Sequence, residues 1–209
     1  MQGRGSRVVS ERDPVAVHLC KRVIDNGGLL VAPTDTIYGV VADATSSSAV
    51  FRLRALRRPS GRPFIVLLPD PSWIGKLGLV YNRTALMLSM VKGITLVLER
   101  RSGIYHFLGA QTLAVRIPRE GFIYRLLRKV SKPLVAPSAN PEGYPPARTV
   151  RDAFDYFGDR VDLYVDGGII DGKPSAILSL VGSEPEVLRS GPYSLQSLKR
   201  MLLKYQKNG

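Results

Sequence analysis

The chain has 209 residues, of which 44% are hydrophobic and 22% charged, and its 30 Lys and Arg against 17 Asp and Glu give a formal net charge of +13 at pH 7. That length supports one large domain with a sizeable core, and the positive excess favours acidic partners such as nucleotides, RNA or DNA. No apolar run of roughly 18 residues is present, so no membrane span is expected. The polar start, Met1 to Arg7, lacks the apolar stretch of a signal peptide. A single cysteine, Cys20, excludes a disulfide framework and fits a cytoplasmic protein. Two histidines and that cysteine do not make a typical zinc site.

The elements follow from spacing. Asp13-Pro14 reads as a helix cap followed by a proline in the first turn, and Ala16, Leu19, Cys20, Val23 and Ile24 then recur at helical intervals. Gly27-Gly28 ends that helix, and Leu29 to Ala32 is a buried strand. Ser46 to Ser48 caps a second helix with Ala49, Val50, Leu53 and Leu56 on one face. Phe64 to Leu68 is a strand, Asn82 opens a helix to about Val91, and Thr95 to Leu98 returns as strand. Thr112 to Ile117 is a strand with Arg116 inside it, Phe122 to Val130 a helix, and Leu134 to Pro137 a strand. Val150 to Phe157 is helical, and Leu163 to Val165 is a strand ending in the tight turn Asp166-Gly167-Gly168. Ala176 to Leu180 and Glu186 to Leu188 read as paired strands, and Ser194 to Tyr205 closes the chain as a helix. Strands alternate with helices throughout, which predicts an α/β fold with a mixed, twisted sheet in a single domain over residues 1–209.

Two motifs of small polar residues stand at strand exits, where open α/β sheets carry ligands. They are Pro33-Thr34-Asp35-Thr36-Ile37-Tyr38-Gly39 and Ala136-Pro137-Ser138-Ala139-Asn140. Between them lies an arginine cluster, Arg52, Arg54, Arg57, Arg58 and Arg62. Guanidinium groups beside hydroxyls and an amide suggest a pocket for a polyanion such as a nucleoside triphosphate. Each motif taken singly also reads as a turn in which side chains cap backbone amides. Neither a Walker A loop nor Gly-x-Gly-x-x-Gly is present, so ATP binding would proceed without those devices. Cys20 reads as a small core residue and His18 as solvent-facing. Asp35 reads as a turn stabiliser or a water-mediated magnesium contact.

The order of segments is more specific than any one of them. Pro33 to Gly39, Arg58-Pro59, Gly93 to Leu98, Val115-Arg116-Ile117-Pro118, Ala136 to Asn140, Asp166-Gly167-Gly168, Pro174-Ser175 and Leu188-Arg189-Ser190-Gly191 occur in that sequence. The series resembles the YrdC-like family of threonylcarbamoyl-AMP synthases, over about residues 13–194. The resemblance implies a twisted mixed sheet with flanking helices and a basic concave face. It also implies a nucleotidyltransferase that uses ATP with Mg, L-threonine and bicarbonate, and releases pyrophosphate. Its product passes to a threonylcarbamoyl transferase complex that modifies tRNA. On this resemblance Arg57, Arg58, Ser138 and Asn140 carry catalysis and bind nucleotide, joined by Ser175 and Arg189. Thr34, Tyr38 and Arg116 bind threonine, and no protein-bound metal is expected. Two positions depart from the pattern. Counting back from Pro59, Leu56 stands where the family has lysine in Lys-x-Arg, and Arg57 takes that place if one residue is deleted. Pro174-Ser175-Ala176 stands where the family usually has Pro-Ser-Thr. An RNA-binding module without chemistry and a divergent paralogue with another substrate are the competing readings.

Overall fold

Short apolar strands set the architecture. The computed structural model describes residues 7–57, 64–101, 104–109 and 111–206. Its strands are β1 (Arg7–Ser10), β2 (Leu30–Pro33), β3 (Tyr38–Asp43), β4 (Ile65–Leu67), β5 (Ile94–Glu99), β6 (Thr112–Arg116), β7 (Leu134–Val135), β8 (Leu163–Asp166), β9 (Ala176–Ser179) and β10 (Glu186–Arg189). Its helices are α1 (Ala16–Asp25), α2 (Ser47–Arg57), α3 (Ser72–Lys76), α4 (Arg83–Ser89), α5 (Gly121–Val130), α6 (Val150–Phe157) and α7 (Leu195–Gln206). The strands form one sheet in the order β1-β8-β2-β3-β7-β4-β6-β5-β9-β10. Parallel pairs (β1 with β8, β5 with β9) mix with antiparallel ones (β2 with β3, β5 with β6), so the sheet is mixed as expected.

Successive strand residues point to opposite faces, and this period divides the core in two. One face buries Val31, Val40, Val66, Leu96, Val115 and Leu178 among α2, α3, α4, α6 and α7. The other buries Leu30, Ala32, Val41, Leu67, Leu134 and Leu163 under α1 and α5, which supply Cys20, Ile24, Phe122, Leu126 and Leu127. No residue of β5, β6, β9 or β10 belongs to this second core. The α1 and α5 layer therefore covers the sheet only from β1 to β4. Beyond β4 the same face carries Ala114 and Arg116 of β6, Thr95 and Val97 of β5, and Ile177 and Ser179 of β9, because their neighbours in sequence point into the first core; Thr95 and Arg116 are buried there against Ser175 and Asp35, which lie outside any helix.

Local chemistry sets the helix starts. Asn82 Oδ1 accepts the Ala85 amide at 2.9 Å, and Thr149 with Asp152 makes a reciprocal capping box on α6. Asp13 lies two residues before the cap: α1 starts at Ala16 after Val15, and the carboxylate accepts from the Val15 amide at 2.9 Å. Three elements escape the sequence pattern. β1 is an edge strand of four residues, and α3 is barely more than a turn. β3 is buried along its whole length and so lacks the alternation that marks a half-exposed strand.

Candidate active site

The two polar motifs touch where Gly39 bridges to Ser138, and the first of them also reaches β6 through Asp35. The β2–β3 connection is a tight turn. Thr34 Oγ1 donates to the Ile37 carbonyl at 2.6 Å and accepts from the amides of Thr36 and Ile37, each at 3.2 Å. The turn-capping alternative is thus what Thr34 does. Gly39, just inside β3, bridges to Ser138. Asp35 turns inward instead of out to solvent, and its Oδ1 lies 3.0 Å from Nη2 of Arg116. Burial works against the Arg116 charge, and the Asp35 carboxylate works for it. The sequence reading of Asp35 as a turn stabiliser is corrected here, since the turn's side-chain bonds run through Thr34 and the Asp35 carboxylate faces a buried guanidinium.

Thr95, a lone hydroxyl between the apolar residues of β5, lies 2.8 Å from Ser175 Oγ, and both residues are buried. Arg189 Nε donates to the Ser175 carbonyl at 2.8 Å, and Nη2 reaches Ser175 Oγ at 3.4 Å. Asn140 Nδ2 donates to the carbonyls of Pro141 at 2.9 Å and Tyr144 at 2.7 Å, so this amide organises the loop after Ser138. The segment from Gly167 to Ser175 closes the arrangement. It passes so near the β2–β3 turn that a Cβ on Gly172 would sit 2.0 Å from the Thr36 carbonyl oxygen. Gly191 packs equally closely: its φ is +59° and a Cβ there would lie 2.3 Å from the Ala176 nitrogen.

The chain belongs to the Sua5, YciO and YrdC family. The family model, described as Telomere recombination, matches residues 22–191, most of the chain. A Mycobacterium tuberculosis protein, provisionally named a threonylcarbamoyl-AMP synthase, is 34% identical over 187 residues, covering 86% of this chain and 85% of its own. The crystal structure of Pyrococcus abyssi Sua5 complexed with L-threonine superposes with a TM-score of 0.85 at 27% identity, over 93% of this chain and 60% of that one. The chain therefore spans about six-tenths of the Pyrococcus protein's length. Escherichia coli YciO shares the fold, with a TM-score of 0.78 at 22% identity over 92% of this chain and 97% of its own.

In this YrdC-like chain the arginine cluster divides. Arg52 pairs with Asp162 at 3.0 Å, and Arg54 lies over the Phe64 ring at 5.3 Å and donates to the Phe107 carbonyl. Both guanidiniums have partners within the fold, Arg52 in a half-exposed ion pair. The Arg57 side chain, Arg58 and Arg62 lie outside the described residues. A groove of about 1110 Å³ runs elsewhere, between Val8, Leu19, Arg22, Arg52 and Asp162, and none of the candidate site residues lines it. Among the described residues no group of three or more His, Cys, Asp or Glu gathers to hold a metal, and no helix is long and apolar enough to cross a membrane.

Tyr38 is fully buried. Its hydroxyl donates to the Gly168 carbonyl and accepts the Gly167 amide, each at 2.9 Å, which fixes the Asp166-Gly167-Gly168 turn. Tyr38→Phe removes both bonds to a turn whose Gly168 is exposed, and is expected to cost about 0.5–1.5 kcal/mol, read by denaturant unfolding. Burial pushes the phenol from its ordinary 10.0 up to about 12. The native state holds that proton more tightly than the unfolded chain. The corresponding stability is complete below pH 10.0 and is lost as pH rises from there through about 12, a decline that Tyr38→Phe should lessen.

Sequence reasoning missed Thr95, Gly172 and the inward turn of Asp35. Thr95 had a usable signal, as a polar residue at a face-alternating position between apolar strand neighbours. Gly172 had none, because its partner is distant in sequence.

Proposed function

We propose that this chain is an L-threonylcarbamoyladenylate synthase. The observation that carries the reading is the ordered motif series, borne on a fold that matches the threonine-bound Pyrococcus protein. In this reaction the threonine amine combines with bicarbonate to give a carbamate and water. A carbamate oxygen then forms a bond to the α-phosphorus of ATP. The bond from that phosphorus to the bridging oxygen breaks, and pyrophosphate leaves with the electron pair. Mg enters with ATP as part of the substrate.

Negative charge builds on the leaving pyrophosphate, so catalysis rests on positioned cations and donors rather than on a strong base. Arg57, Arg58 and Arg189 supply persistent positive charge in fork geometry. The Ser138 hydroxyl and the loop shaped by Asn140 serve the phosphates and the carbamate, and Ser175 supports Arg189. Thr34 and Tyr38 define the turn beside which threonine sits, and Arg116 takes its carboxylate. The product goes to a threonylcarbamoyl transferase acting on tRNA, and the net charge of +13 suits contact with RNA phosphates.

The purified protein is expected to release pyrophosphate from ATP and magnesium only when L-threonine and bicarbonate are both present. Serine lacks one methyl, which is worth about 1–3 kcal/mol of discrimination. Equal pyrophosphate release with threonine, with serine and with no amino acid would exclude the assignment.

A further inference from the structure

The Asp35–Arg116 pair is chemically incomplete. Both side chains are almost wholly buried, at 2% and 5% exposure. They touch through one oxygen and one nitrogen, yet Oδ1 of Asp35 and Nε of Arg116 make no directed hydrogen bond. A guanidinium presents Nε and Nη2 as a fork that fits both oxygens of a carboxylate. Here only one prong of that fork is engaged. Buried donors are normally satisfied, and an unsatisfied one calls for an explanation.

Placement supplies it. Arg116 ends β6 on the sheet face that α1 and α5 leave uncovered. Asp35 sits in a turn rather than a strand, so it can leave Arg116 without breaking a ladder hydrogen bond. The turn's own bonds run through Thr34, not Asp35.

We propose, on the reading that this site takes an amino acid, that Asp35 is an internal carboxylate seated on Arg116 and that the substrate carboxylate exchanges with it. Asp35 is then a positioning residue. It keeps a buried guanidinium neutralised and aimed, and it sets the affinity that an incoming carboxylate must exceed. One carboxylate replaces another, so the buried cation keeps a counter-charge at the start and end of the exchange.

Asp35→Asn tests this, since it keeps the shape and removes the charge. The thermal midpoint is followed in sodium acetate against sodium chloride at equal ionic strength, and L-threonine binding by calorimetry. The variant is expected to melt lower than the wild type, to recover specifically with acetate, and to bind threonine about tenfold more tightly, because the internal competitor is gone. The double variant Asp35→Leu with Arg116→Met replaces the pair by apolar side chains of similar volume. It should fold, ignore acetate and bind threonine poorly. No acetate response in Asp35→Asn, with threonine affinity unchanged or weaker, overturns the exchange and leaves a purely structural pair. An acetate response in a protein whose wild type binds no threonine upholds the exchange and overturns the amino-acid reading.

Discussion

Arg58→Ala is expected to lower kcat/KM for threonylcarbamoyl-AMP formation roughly ten- to a thousandfold, while the fold survives. The residue lies between α2 and β4, and β4 begins beside the second polar motif: the Ala136 amide donates to the Ile65 carbonyl at 3.1 Å. The effect belongs in kcat as well as KM if the guanidinium meets charge that grows as pyrophosphate leaves. Arg57 extends the series. If it replaces the family lysine, Arg57→Lys keeps part of the activity, because the charge persists while the fork is lost, and Arg57→Ala is far worse. A silent Arg57→Ala would instead favour a paralogue with another substrate. Steady-state kinetics with pyrophosphate detection, beside a thermal melt of each variant, separates these outcomes.

Gly172→Ala is expected to cost about 3 kcal/mol, the upper end of what overpacking costs, and to take most of the activity with it. The obstacle is backbone: the new Cβ meets the Thr36 carbonyl oxygen at 2.0 Å, and the carbonyl carbon follows at 3.1 Å. A side chain could rotate away, but this carbonyl is held in the turn that carries Thr34 and Asp35. Either the segment from Gly167 to Ser175 lifts, which moves Ser175 away from Thr95, or the turn shifts, which moves Asp35 relative to Arg116. Gly75→Ala is the control. Its Cβ would meet Tyr81 only at ordinary contact distance, 3.6 Å, and it sits in helix α3. Normal stability and kinetics in Gly172→Ala would show that the two segments are not packed as described.

Local pattern made much of the fold legible. The helical period of Ala16, Cys20 and Ile24, the Asn82 cap and the run Phe122 to Val130 each announce an element with no knowledge of its neighbours. β3 was hidden because a strand buried on both faces carries no alternation, and its start, Tyr38-Gly39, also belongs to a polar motif. The site was legible as a list of segments. The Thr34 turn carries Asp35 to Arg116, Gly39 bridges to Ser138, and Arg189 holds Ser175. Their individual work was not legible. Composition marked the arginines as a cluster, whereas Asp162 takes Arg52 and the Phe64 ring takes Arg54.

By itself the sequence determined the layer type, the polar motifs at strand exits and the family, because each rests on residues close together in the chain or on their order. Only the tertiary structure decided which way Asp35 points, that Thr95 meets Ser175 80 positions away, and that Gly172 must lack a side chain. Those facts depend on what long-range strand pairing and close packing bring together. A buried charge finds its partner, and a glycine its neighbour, only once the sheet has set the distance.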